Sequence, residues 1–164
     1  MANTEIVDIV DKNNNVVGSA DVATAHSQKL MHRVVGVFVF DADRDLYIQT
    51  GNKYGKLDLS VGGHVQQREM YEDAAKREMV EELGLIVPIH HISTFLPKDA
   101  RLNHYWAIYT AAAPQDWKFE ETEEVKSLEK INITRIKDMM KSYPDSFTHG
   151  FINTMTELIR IQKL

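Results

Sequence analysis

GHVQQREMYEDAAKREMVEELGL, residues Gly63–Leu85, is the stretch on which the reading of this chain turns. From about Met70 to Leu83 its pattern is helical, because Ala75, Met79 and Leu83 recur every four residues and form an apolar stripe. Glu72 and Asp73 sit in the first turn, where the helix dipole favours acids, and Gly84 stands where a helix-ending glycine belongs. With a rotation of about 100° per residue, Glu78, Glu81 and Glu82 fall on one face beside that stripe. Like charges at such spacings cost roughly 0.2–0.5 kcal/mol per pair, so helix stability alone does not explain them. A bound divalent cation reverses the sign. Mg²⁺ takes a few carboxylate oxygens, keeps several waters and shares its remaining positions with substrate phosphates.

Outward from this helix the order is mixed α/β. Short β-favouring runs at Glu5–Val10 and Val16–Ala20 flank the turn-forming DKNNN and predict a hairpin. VVGVFVF, Val34–Phe40, predicts a strand buried on both faces, and Leu46–Gln49 returns after DADRD. A further strand is expected at Lys56–Val61, ending before Gly62 and Gly63. Strands follow at Ile92–Phe95, His104–Ala111 and Ser127–Ile133, then helices at Arg135–Ser142 and Gly150–Gln162. The last helix carries Phe151, Met155, Leu158 and Ile161 as its apolar stripe. A sheet with helices packed on it is the expected product.

Composition narrows the function. The 164 residues, 43% hydrophobic, suit one domain spanning residues 1–164. A net charge of −5 argues against a nucleic-acid polymer as partner, since phosphate binders usually carry a basic face. No apolar run approaches the ~18 residues of a membrane span, and MANTEIVDIV lacks the order of a secretory signal, so a cytoplasmic protein without a membrane partner is expected. The absence of cysteine excludes disulfides, thiolate metal sites and cysteine nucleophiles.

The helical stretch resembles the Nudix box, in which G, five residues, E and seven residues precede R-E-U-x-E-E-x-G-U, with U aliphatic. Gly63, Glu69, Arg77, Glu78, Met79, Glu81, Glu82, Gly84 and Leu85 fill every specified position. More loosely, AHSQKLMHRVVGVFVFDADRDLYIQ, SVGGHV and ETEEV resemble the Nudix subgroup related to isopentenyl-diphosphate isomerase. The resemblance implies a Nudix fold, a mixed β-sheet sandwiched between α-helices, and a MutT-like pyrophosphatase that cleaves a phosphoanhydride in a nucleoside diphosphate-linked or other small diphosphate compound. It implies Mg²⁺ or Mn²⁺ held by Glu78 and Glu82, with Glu81 sharing a second cation and the Gly62 carbonyl facing the site. Glu69 or a metal-site glutamate accepts the proton of the attacking water in this reading, with Glu123 and Glu124 as further candidates. Arg77 pairs with a neighbouring glutamate and fixes it. A homodimer is common among such relatives.

The bland readings stand beside these. Glu69 is equally a first-turn acid, Arg77 a structural ion-pair partner, and Glu120–Glu124 an exposed acidic loop. The isomerase motif S-V-C-G-H reads Ser60, Val61, Gly62, Gly63, His64 here, so the thiol that protonates an alkene is missing, as are two later glutamates, replaced by Leu102 and His104. That balance favours hydrolysis over isomerisation; a diphosphate-binding module without turnover is the other alternative, and the intact glutamates disfavour it. His26, His32 and His64 match the histidines with which the isomerase holds a second metal, though the first spacing is one residue shorter. With His104 they offer four imidazoles to a transition metal, or are ordinary hydrogen-bonded side chains. Arg33, Lys53 and Lys56 are the candidates for gripping substrate phosphate, because the arginines usual after the Leu46–Gln49 strand are absent. Tyr54, Tyr105 and Trp106 either stack on a base or belong to the core.

Overall fold

The computed structural model describes residues 4–50, 54–98, 103–162 and 164. β1 (Ile6–Val10) and β2 (Val16–Asp21) form the expected hairpin. Its turn is closed by Asp11 Oδ1, which accepts from the Asn13 and Asn15 amides, and by Asn14 at φ 65°. β3 (His32–Phe40) is the centre of the sheet. It pairs antiparallel with β1, β4 (Leu46–Thr50) and β5 (Val61–His64), and parallel with β7 (His104–Ala112). β6 (Ile89–Phe95) pairs with β7, and β8 (Ser127–Ile131) with β4.

Alternation along β3 builds two cores. Val35, Val37 and Val39 pack with Ala74, Ala75, Met79 and Leu83 of α2 (Tyr71–Leu83). Val34 and Phe38 pack on the other face with Ile136 of α3 (Ile133–Ser142) and Phe151, Met155 and Leu158 of α4 (His149–Gln162). The fold is therefore a mixed sheet between helices, as expected, with β3 buried on both sides. Each fully buried large side chain in these layers contributes about 1.5–3 kcal/mol. The α2 stripe docks as its spacing predicts. Gly84 closes α2 in the left-handed region at φ 61°, with its amide on Val80 O and the Leu85 amide reaching back to Met79 O.

Four local differences have physical causes. The strand expected at Lys56–Val61 begins instead at Val61 and runs through both glycines to His64, while Leu57 and Asp58 make only isolated bridges. Glycine usually weakens a strand, but here a Cβ on Gly63 would overlap the Glu78 carboxyl group of α2, so close helix–strand approach requires it. A short helix, α1 (Val22–Ser27), was not expected; Asp21 caps it by accepting from the Thr24 amide, and it is too short to show an apolar period. α3 starts at Ile133 rather than Arg135, and β8 ends at Ile131, because Asn132 caps the helix through the Thr134 amide. Ile161, read as part of the α4 stripe, is 37% exposed in the last turn of the helix, one residue from its end.

Candidate active site

α2 and β5 build the site together. Glu78 and Glu82 are one turn apart on the α2 face that meets β5, and both are buried, at 6% and 5% exposure. One Glu82 oxygen accepts from Gln49 Nε2 of β4; the Gly62 amide lies 3.5 Å from the other. Oxygen atoms of Glu78, Glu82 and Glu124 lie within 4.8 Å of one another. Glu124 belongs to the loop before β8, which Thr122 pins to the end of α2 by donating to Glu82 O. Glu123 is exposed and outside this group. Glu81, expected to share a cation, is exposed and accepts from Arg77 Nη1 through Oε2 at 3.0 Å.

Arg77 uses its whole donor set within the protein. Nε and Nη2 grip Glu69 as a fork at 2.9 and 3.0 Å, Nη1 reaches Glu78 at 2.7 Å and Glu81, and Nη2 also donates to His64 O at 2.9 Å. Five N–H groups thus meet five acceptors, which makes Arg77 a clamp between α2, β5 and the turn before the helix. Glu69 is similarly engaged, since Oε2 also accepts the Gln66 amide at 2.8 Å. The ion-pair reading of Arg77 is the one its geometry matches.

Around Glu82 the described residues supply only neutral donors, Gln49 and Gly62. Burial pushes Glu78 up to about 7, with Arg77 opposing the rise, and pushes Glu82 up to about 8, with the Glu78 charge adding to it. Paired buried carboxylates with all-oxygen donors and little compensating charge fit a hard divalent cation. Both folded values lie above the ordinary 4.5, so these groups stabilise the metal-free fold fully below about pH 4.5, and that contribution is lost as pH rises through about 7 to 8. Thermal melts in chelator should therefore show Tm falling from about pH 5 to about pH 8.5, and Mg²⁺ should raise Tm more at the alkaline end. A Mg²⁺ increment larger at the acidic end would contradict this site.

Gly62, Gly63 and His64 separate two clefts. One, of about 720 Å³, holds Glu78, Glu81, Arg77 and Glu124; the other, of about 450 Å³, holds Gln49, Glu82, Lys56 and Asp58. Lys56 thus shares a cavity with Glu82. Arg33 does not. Its Nε and Nη2 donate to Asn14 Oδ1 and O at 2.7 and 2.6 Å, and its guanidinium lies 5.5 Å from the Tyr71 ring centre. It staples β3 to the hairpin turn, because its strand position points it away from the clefts. Lys53 and Leu102 lie outside the described residues. Trp106 is 7% exposed and core, while Tyr54 is exposed on the cavity rim. Sequence reasoning missed Gln49, Thr122 and Asp58; the last is half-buried, its carboxyl is raised by desolvation, and it accepts from Thr148 Oγ1 at 2.7 Å. Only the outward phase of β4 hinted at Gln49. His26, His32, His64 and His104 are brought together at one end of β3.

Known proteins resemble this chain in sequence and fold. The NUDIX domain model matches residues 30–151. The chain is 33% identical over 129 residues to the uncharacterized Nudix hydrolase YPO2781 of Yersinia pestis, covering 74% of this chain and 71% of that one. It is 29% identical over 157 residues to isopentenyl-diphosphate Delta-isomerase 2 of Photorhabdus laumondii, covering 90% and 88%. Its fold matches that of DR0079 from Deinococcus radiodurans with a TM-score of 0.76 at 23% identity, over 93% of this chain and 97% of that one. The chain belongs to the Nudix family. Within it, this is an enzyme of the pyrophosphohydrolase class, which acts on acid anhydrides. No helix among the described residues is long and apolar enough to cross a membrane.

Proposed function

We propose that this chain hydrolyses a phosphoanhydride bond in a small diphosphate compound with Mg²⁺ or Mn²⁺ as cofactor. The observation that carries the reading is the pair of buried carboxylates, Glu78 and Glu82, joined by Glu124 at the edge of two clefts. Glu78, Glu82 and Glu124 would hold the divalent cation, which when bound would supply positive charge to the phosphate oxygens and acidify water. Gln49 and the Gly62 amide orient Glu82, and Arg77 orients Glu78. Glu124, the exposed member of the trio, accepts the proton of the attacking water. The water oxygen bonds to phosphorus as the bridging P–O bond breaks, and the departing phosphate keeps that electron pair. Glu69, with both oxygens engaged, acts through Arg77 and not on water.

Lys56 is assigned to the substrate phosphate as a point charge on the cavity wall. Replacing it by Ala should raise KM about 10-fold with kcat nearly unchanged, the pattern of lost binding shared by ground and transition states. A fall in kcat at constant KM would exclude this role.

The isomerase among the relatives favours a second reading, which the missing thiol at Gly62 opposes. A screen of diphosphate compounds with Mg²⁺ and Mn²⁺, run beside Glu82→Gln and including isopentenyl diphosphate, distinguishes them. Phosphate-bearing products support hydrolysis; an allylic isomer without hydrolysis overturns it.

A further inference from the structure

Asp58 lies in the segment between β4 and β5, which is clamped from both sides. Its amide and carbonyl pair with Gln49 of β4 at 3.1 and 3.2 Å, while Leu57 beside it exchanges hydrogen bonds with the Ser146 carbonyl and the Thr148 amide at 2.8 and 3.0 Å. The side chain is held as firmly. Thr148 Oγ1 accepts the Phe151 amide at 3.1 Å at the start of α4 and gives its own proton to Asp58 Oδ1 at 2.7 Å. The Leu59 amide donates to the same oxygen at 2.8 Å. Both bonds therefore fall on Oδ1. Among the described residues no donor reaches Oδ2, and His32 Nε2 alone is sealed from solvent without a partner, so Oδ2 opens on the cavity that Asp58 lines.

That cavity, of about 450 Å³, also holds Glu82 and Lys56. Val34, Leu59 and Trp106 give it apolar walls. A Cβ on Gly150 would stand 3.1 Å from the Trp106 ring, so the start of α4 lies directly against the indole. Tying the segment to Thr148 needs Oδ1 alone, which leaves the second oxygen without a structural task. Desolvation raises the carboxyl and its two donors oppose the rise, so a third donor is worth more here than at the surface. Apolar walls with one carboxylate oxygen suit a planar heterocycle that carries an N–H; a hydrocarbon would cover Oδ2 and give it no partner. Resting on the hydrolysis set out above, we propose that Asp58 is a specificity-determining residue: Oδ2 accepts an N–H from the non-phosphate half of the diphosphate and so selects an amino-bearing heterocycle over a hydrocarbon chain. A site built around such a bond rejects a ligand that lacks it far more strongly than shape alone does.

The test is calorimetry of the full chain in Mg²⁺ with uncleavable α,β-methylene analogues of adenosine and cytidine diphosphate, whose bases carry amino groups, beside the same analogue of isopentenyl diphosphate. The parent should bind at least one nucleotide analogue at least about 10²-fold more tightly than the isopentenyl one. Asp58→Asn keeps an oxygen for Thr148 and Leu59 and puts an amide NH₂ in place of Oδ2, so Tm should hold while that preference falls at least about 10-fold. A purely structural Asp58 would leave the preference where it was. A folded parent that binds neither nucleotide analogue or prefers the isopentenyl one, or a folded Asp58→Asn protein with the preference of the parent, overturns the proposal. Binding is read here without turnover, so the two readings fail separately: cleavage of diphosphates without this preference would keep the reaction and reject the role of Asp58, and the preference without cleavage would do the reverse.

Discussion

Glu82→Gln is expected to lower turnover at least about 10²-fold while leaving the fold intact, and without chelator-treated protein melting any lower. The two effects part because the same burial governs both. Glu82 is 5% exposed with its carboxyl raised to about 8, so near neutral pH the metal-free fold already holds it largely protonated. A neutral amide of the same shape therefore costs the empty site little, and Gln49 can still donate to the oxygen that remains. What disappears is the negative charge that balances the cation, and with it the increase of Tm on adding Mg²⁺. Steady-state rates on whichever diphosphate the screen identifies, beside melts with and without Mg²⁺, check both halves. A variant as active as the parent would remove Glu82 from the chemistry.

Gly63→Ala is the second large effect, again about 10²-fold in kcat, and it works through geometry. A Cβ at this position would overlap the carboxyl carbon and both oxygens of Glu78. Gly63 is not in the left-handed region, so Ala fits its backbone, and pairing with Val35 of β3 persists. Alanine also loses less entropy on folding than glycine, an offset of roughly 0.5–1 kcal/mol. The yielding group is the end of the Glu78 side chain, which swings out of its buried place and breaks its contact with Arg77. Tm should thus shift little while kcat and the Mg²⁺ affinity fall together. Unchanged kcat in a folded variant would show that Glu78 tolerates displacement and is not required where it lies.

The contrast between these positions shows what a sequence reveals. The α2 stripe of Ala75, Met79 and Leu83 and the glutamates beside it were legible because helical geometry alone fixes their relation. The sandwich was legible too, since VVGVFVF can be buried on both faces only between layers. Gly62 and Gly63 misled because paired glycines ordinarily mark a turn, and their need for a close helix is a tertiary fact. Arg33 looked like a phosphate ligand by type, yet strand phase and Asn14 take it elsewhere. Glu124 could be named as a candidate but not preferred over Glu123, because loop conformation, set by Thr122 on α2, decides which carboxylate arrives. Gln49 left no mark beyond its place on a strand.

The parallel pairing of β3 with β7 also bears on how the chain reaches this state. Residues 41–103, including all of β4, β5, α2 and β6, lie between these two neighbours, so joining them closes a long loop late and at a large entropic cost. Glu78 and Glu82 meet Gly63 and Gly62 of β5 within a local segment, whereas His32 meets His104 only when that loop closes. During refolding, the carboxylate pair should therefore be assembled early and the pairing of His32 with His104 last.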